Sequence, residues 1–356
     1  MAGPSVLIFH RSASADDARL VRVLAEVRLR VGEMQAALFR RAGAGAVTII
    51  PGTDIPFGSQ LAQVAPSRGG VIVMGSGAVP RLGLADARRL VEAAGAGGSR
   101  ALTNNRYSSD VCAVGRARVL RDLPPLPGDN ALPRWLEEHA GFRVDELAAR
   151  ERLALDIDTP LDVALWVLAP GAPAWVRGVV ASQAIEVPRL DELRALARDP
   201  YAELLVFGRA GSDTLRWLER HVRCRVRFLA EERGLRASTP LAIAGSATVP
   251  VRPPRATIGR LLSDRGPAAL AEVIGELADG AIIDSRVLLA DQFSADERDW
   301  PSPSDRFASD LLRVGEVGDP WLRALTESAS ASAGPIVLGS HTLVGPGVRL
   351  LLGGRA

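Results

Sequence analysis

The chain contains no lysine; all 43 of its Lys/Arg-type residues are arginine. That absence excludes Schiff-base chemistry, covalent attachment of pyridoxal phosphate and a Walker-type phosphate lysine. Any phosphate must be met by arginine, by backbone N–H groups or by a metal ion. Cysteine is scarce too: Cys112 and Cys224 lie far apart and neither has a Cys or His neighbour at zinc-site spacing, so a reduced, cytoplasmic protein is expected. Aromatic residues make up 4% of the chain, no basic block is interleaved with them, and the net charge is only +2, which argues against a nucleic-acid binder. No stretch reaches the roughly 18 apolar residues of a membrane span, and the apolar run of MAGPSVLIFHRS is too short for a signal peptide.

What is present is a large apolar fraction, 47% of 356 residues. Single cores stop growing at roughly 250–300 residues, so two domains are expected. Short all-apolar runs alternate with helical spacing. Val6–Phe9 reads as a buried strand ending at His10-Arg11-Ser12. A helix follows, with Ser14 as its N-cap and Leu20, Val23, Leu24, Val27, Val31, Met34 and Leu38 along one face. Ala46–Ile50 is a second strand, residues 57–61 open a short helix, and Gly70–Met74 is a third strand. Gly75–Pro80 is a turn at which a ligand could sit, or simply a tight strand-to-helix turn that needs glycine, and Leu84–Ala94 is a helix. The fold class is α/β, a mostly parallel sheet covered by helices, in which ligands bind at the carboxyl ends of strands.

Leu153–Leu165, LALDIDTPLDVAL, closes this first region. It reads as a buried strand that passes directly into a helix. Asp156 and Asp158 alternate with Leu155 and Ile157, so on an extended backbone both carboxylates point to one side, where they can hold a hard divalent cation. Thr159 is an N-cap, Pro160 suits the first helical position, and Asp162 favours the positive helix end. Simple helix capping explains the same residues.

Two polar clusters precede that corner. Asn104, Asn105, Arg106, Ser108 and Asp110 crowd in front of the apolar strand Val111–Val114, and Asp129 and Asn130 cap a helix over Leu132–His139. Amides, a guanidinium and carboxylates of this kind recognise a base, a ribose or a phosphate, or else form turns that satisfy their own backbone.

Taken together, the Val6–Phe9 and Val71–Met74 strands, the Asn-rich stretch and the Asp-x-Asp-Thr-Pro-x-Asp corner resemble the compact GT-A-like nucleotidyltransferases, of the 2-phospho-L-lactate guanylyltransferase and molybdenum-cofactor guanylyltransferase type, over about residues 5–167. The resemblance implies transfer of a nucleotidyl group from a nucleoside triphosphate to a small phosphorylated acceptor, with magnesium on Asp156 and Asp158 and with Arg11 and Arg106 near phosphate. It also shows departures. His10–Ser14 stands where a glycine-rich loop with Arg and Lys is usual, and Gly77-Ala78-Val79-Pro80 stands where an Asp-x-Pro supplies the first metal carboxylate. The alternative is a degenerate member that binds a ligand or a partner protein.

Pro170–Pro173 marks the expected boundary, giving domains over 1–169 and 174–356. In the second, residues 175–181, 202–207, 225–229 and 281–283 read as strands, and Pro335–Leu338 and Val348–Leu352 as two more around a turn. Arg252–Arg255 reads as a loop. Arg209 lies in a glycine turn before a helix, Asp284 and Arg286 leave a strand, and Asp305, Arg306 and Asp310 follow a proline-restricted segment. The expectation is that Asp284, Arg286, Asp305 and Arg306 line one concave surface, with Arg306 aimed at Arg209 or His341; a paired structural network is the alternative. Homo-oligomer formation is left open.

Overall fold

In the computed structural model, residues 3–126, 128–148, 151–232 and 254–353 are described. Part of the Arg252–Arg255 loop lies outside them. They form two compact units that divide between Ile157 and Asp158. The Pro170–Pro173 run sits inside the second unit.

The first unit holds β1 (Ser5–His10), α1 (Arg19–Arg41), β2 (Val47–Pro51), α2 (Phe57–Val64), β3 (Val71–Gly75), α3 (Leu84–Gly95), β4 (Arg100–Thr103), β5 (Val111–Val114), α4 (Leu132–Glu138) and β6 (Arg143–Glu146). Its sheet runs β2-β1-β3-β5-β4-β6, with β5 antiparallel to both neighbours and the other pairs parallel. Strand alternation divides the core. Val6, Ile8, Ile72, Met74, Val111 and Ala113 face Ala36 and Phe39 of α1 and Ala87, Leu90 and Ala94 of α3. Leu7, Val71, Val73, Cys112 and Val114 face Leu61 of α2 and Trp135 and Leu136 of α4. Both faces are covered, which is why these strands are apolar without interruption. The chain leaves β1 toward β2 on one side and reaches β3 on the other, so the strand order reverses between β1 and β3.

The second unit contains α5 (Pro160–Leu168), α6 (Ala174–Gln183), α7 (Leu190–Arg198), β7 (Glu203–Gly208), α8 (Ser212–His221), β8 (Arg225–Ala230), α9 (Thr257–Arg265), α10 (Leu270–Gly275), β9 (Gly280–Asp284), α11 (Ser285–Gln292), α12 (Pro303–Asp310), α13 (Pro320–Ala331), β10 (Ile336–Gly339) and α14 (Val348–Leu352). Its sheet, β10-β9-β7-β8, is parallel throughout. Leu205, Phe207, Ala281, Ile283, Ile336 and Leu338 pack on Ile258 and Leu262 of α9 and Leu322, Leu325 and Ala329 of α13. Here the order reverses between β7 and β9.

Four expectations are corrected. Residues 175–181 are helical, in α6: Pro173 is its N-cap, Val176 is buried and Arg177 exposed, so packing on one helical face overrides the strand preference of Val-rich sequence. Residues 348–352 are helical, in α14, with Val348 and Leu351 buried three apart; a five-residue apolar run does not distinguish the two periods. Leu153–Asp158 is not a sheet strand. Arg152–Ala154 is a 3₁₀ turn, and beyond it the expected alternation survives, with Leu155 and Ile157 buried and Asp156 and Asp158 half-buried. Finally, Ser14 does not cap α1, which begins at Arg19; Ser14 instead closes a turn with Asp17.

Candidate functional site

The reversal between β1 and β3 puts their carboxyl ends side by side, the usual position of a ligand crevice in an open α/β sheet. At its floor the imidazole Nδ1 of His10 lies 3.0 Å from Ser76 Oγ, both side chains buried. Burial, and then the nearby Arg28, push the His10 pKa down, so the ring is neutral at physiological pH. Gly75 ends β3, and the nearest outside atom to a Cβ placed there would be Asp129 Oδ2, at 3.8 Å. Gly77 is tightly enclosed. A Cβ on it would meet the Ile157 carbonyl oxygen at 2.8 Å and Arg28 Nε at 2.9 Å, so only glycine fits. The Ile157 N–H in turn donates to the Gly77 carbonyl at 3.2 Å, which brings Asp156, one residue earlier, to the same turn. Helix α1 forms one wall: Gln35 Nε2 donates to the Val79 carbonyl at 2.8 Å, and Val79 itself is held at φ +41°, a rare conformation for a β-branched residue.

The polar stretch before β5 lies at this same edge, because β4 runs parallel to β3. Much of it satisfies itself. Asn104 is buried; its oxygen accepts from the N–H groups of Asp110 (3.0 Å) and Val111 (3.2 Å), and its nitrogen donates to Asp110 Oδ2 (2.6 Å) and the Leu153 carbonyl (3.0 Å). Asn105 Oδ1 accepts from the N–H groups of Tyr107 and Ser108, a local turn. Arg106 pairs with Glu137 and lies over the Tyr107 ring, and Ser108 Oγ donates to Asn130 Oδ1 at 3.0 Å. Asp129 and Asn130 begin a 3₁₀ turn ahead of α4, and neither side chain caps that helix. Arg11 pairs with Asp54 at 2.7 Å on the exposed rim.

Asp156 belongs to the first unit and Asp158 to the second. One oxygen of Asp156 already accepts the Ile157 N–H at 2.9 Å. Among the described residues no group of three or more His, Cys, Asp or Glu side chains is placed to hold a metal ion.

In the second unit the carboxyl ends of β7, β9 and β10 carry a buried charge network. Asp284 is fully buried and caps α11 through the Arg286 N–H at 3.2 Å. Arg209 grips it from the end of β7, Nε to Oδ2 at 2.6 Å and Nη2 to Oδ1 at 3.1 Å. Gly208 makes that approach feasible: its φ of +125° and its contact with Asp284 leave no room for a side chain. Burial alone would push the Asp284 carboxyl up, but Arg209, with His341 and Arg286 behind it, outweighs burial and holds it down. Arg286 is bidentate to Asp310, Nη2 to Oδ2 at 2.8 Å with Nη1 on Oδ1, and Nη1 also reaches Ser285 Oγ at 3.0 Å.

The expected shared concave surface is not formed. Asp284 and Arg286 are buried, and each is neutralised there by an ion-pair partner. Asp305 instead accepts from the N–H groups of Gly318 (3.0 Å) and Asp319 (2.9 Å), organising the turn into α13. Arg306 pairs with Glu297 at 3.2 Å and lies over the Trp300 ring, so it is not aimed at Arg209 or His341. Its contribution is correspondingly small. Arg306→Ala should change stability by about 2 kcal/mol or less, since its side chain is 13% exposed and a desolvated cation–π contact is worth roughly 2 kcal/mol. Chemical denaturation checks this, and a loss several times larger would place Arg306 in the core network.

Sequence reasoning singled out the turn that holds Ser76 but missed Arg28. Arg28 was nonetheless marked by spacing, four residues after Leu24 and three before Val31, on the buried stripe of α1.

No family model matches the chain, and no curated protein matches it. Among solved structures it is similar to the crystal structure of Rv0371C in complex with manganese, from Mycobacterium tuberculosis H37Rv, with 20% identity and a TM-score of 0.25 over 40% of this chain and 87% of that one. A likeness at that score carries no argument about this chain.

Proposed function

We propose that the first unit is a nucleotide-binding module, seating its ligand at the carboxyl ends of β1 and β3, in a fold that has kept the crevice without a built metal centre. The observation that carries the reading is the Gly75–Ala78 turn at the point of strand reversal, lined by His10, Ser76 and Asp129 and bordered by Asp156. A neutral histidine, a hydroxyl and a carboxylate around a glycine turn suit a ligand with hydroxyl and phosphate groups at opposite ends. Nucleotidyl transfer to a phosphorylated acceptor needs, in addition, a cation held against the triphosphate, and Asp156 alone does not supply that. Magnesium enters this reading only as the ion a nucleotide brings with it.

The test is a thermal-shift panel of nucleoside mono-, di- and triphosphates with and without magnesium. At a ligand concentration near 100 times Kd the native state gains about 2.7 kcal/mol, so a rise of several degrees is expected from at least one nucleotide, and it should persist in a chelator. No shift with any nucleotide would defeat the proposal, and a shift seen only with magnesium would restore the metal-dependent reading.

A further inference from the structure

We infer that Arg28 is the phosphate-binding residue of the first unit; the inference rests on the nucleotide reading and names the group that would make it work. In a chain without lysine the phosphate contact must come from an arginine, a backbone N–H or a metal, and Arg28 is the arginine at the crevice. It projects from α1 onto the Gly75–Ala78 turn, its Nε and Cγ lying 2.9 and 3.1 Å from where a Gly77 Cβ would be. The residue is half-buried. No hydrogen bond or ion pair engages it among the described residues, in contrast to Arg11, Arg106, Arg152, Arg209 and Arg286, each of which is committed to a carboxylate.

A half-buried guanidinium has lost part of its hydration while its N–H donors stay open to solvent, so they are available to a phosphate. The planar fork matches a phosphate with two parallel hydrogen bonds, which an ammonium cannot do. The imidazole beside it adds no competing charge. With Arg28 over Gly77 and Asp129 over Gly75, the crevice is polarised, phosphate toward Arg28 and the hydroxyl-bearing end toward Asp129.

The experiment compares wild type, Arg28→Gln and Arg28→Lys by calorimetric titration with GTP, ATP, guanosine and inorganic tripolyphosphate. One charge-assisted phosphate contact corresponds to a loss of roughly tenfold to hundredfold in affinity. Arg28→Gln should lose that much for both nucleotides and for tripolyphosphate while leaving guanosine unaffected, and Arg28→Lys should fall between. Circular dichroism and melting of the free variants establish that the fold is retained. If wild type binds nucleotides and Arg28→Gln binds them equally well, the inference is overturned and the nucleotide reading stands. If wild type binds tripolyphosphate through Arg28 but no nucleotide, Arg28 is an anion site and the nucleotide reading falls. Binding of none of the four probes overturns both.

Discussion

Arg286→Ala should destabilise the second unit by about 3–5 kcal/mol, the cost typical of leaving one member of a buried ion pair without its partner. Asp310 is fully buried and Arg286 is 5% exposed, so the surviving carboxylate has little access to water. Burial works against the Arg286 charge, but Asp310, and beyond it Asp284, more than restore it and push the guanidinium pKa further up. The same loss is expected from Asp310→Ala. Substitution of both by apolar residues of similar volume, Arg286→Met with Asp310→Leu, should recover most of the stability, because the desolvation cost of both charges then disappears. The measurement is the denaturation transition of the second unit in the two single variants and the double variant. Additive losses in the double variant would mean that the two residues act through separate contacts.

Such a network is costly to keep, and its position gives a physical reason for it. It lies where β7 and β9 diverge, at the carboxyl edge of an all-parallel sheet. Asp284 joins three elements there, through the Arg209 side chain after β7, the Arg286 N–H in the first turn of α11, and its own strand. Ser285 Oγ extends the connection to the Gly339 carbonyl of β10 at 3.2 Å. The strand ends are thus tied by directional polar bonds in a region where apolar packing would not specify which ends meet. Arg209, partly exposed, is left fixed at the rim.

Legibility in the sequence followed how strongly each residue's surroundings were set by its immediate neighbours. Val6–Phe9, Val71–Met74 and Ala281–Ile283 could be read as strands because both faces of each sheet are covered, which demands an uninterrupted apolar run of strand length. The capped corner at Thr159–Asp162 was legible because capping is local: Asp162 N–H donates to Thr159 Oγ1, and the Thr159 N–H to Asp162 Oδ2. Residues 174–183 and 348–352 were not, since their choice of helix depends on partners distant in sequence. The site was partly legible. Spacing pointed to Asp156 and, separately, to the Gly75–Pro80 turn, but the bond from Ile157 to Gly77 that brings them together spans eighty positions and no local pattern announces it. Asn104 and Asn105 were read from polarity alone; in the fold Asn105 Oδ1 closes its own turn and Asn104 ties the loop to the Leu153 carbonyl.

Raising the pH from about 4 to about 8 should weaken the second unit through a single buried carboxyl, Asp162. Its pKa is pushed up to about 8, first by burial and then by the carboxylates of Asp158 and Asp310, while the Thr159 hydrogen bonds pull it back only in part. In the unfolded chain the same group titrates near 3.9. A folded pKa above the unfolded one means that the native state holds the proton more tightly. The stabilisation is therefore fully present below about pH 4, declines at up to about 1.4 kcal/mol per pH unit, and is gone once the pH passes the folded value near 8. Asp162→Asn isolates this effect. The amide oxygen can still accept from the N–H groups of Asp158 and Thr159, which lie 3.0 and 2.7 Å from Asp162 Oδ2, and the amide nitrogen can face Ser340 Oγ, which lies 3.2 Å from Oδ1. The variant should match wild type near pH 4, exceed it by about 1.5 kcal/mol at pH 5 and by several kcal/mol near pH 9. Denaturation curves of both proteins at pH 5, 7 and 9 measure it, and parallel pH profiles would show that Asp162 is already ionised in the folded unit.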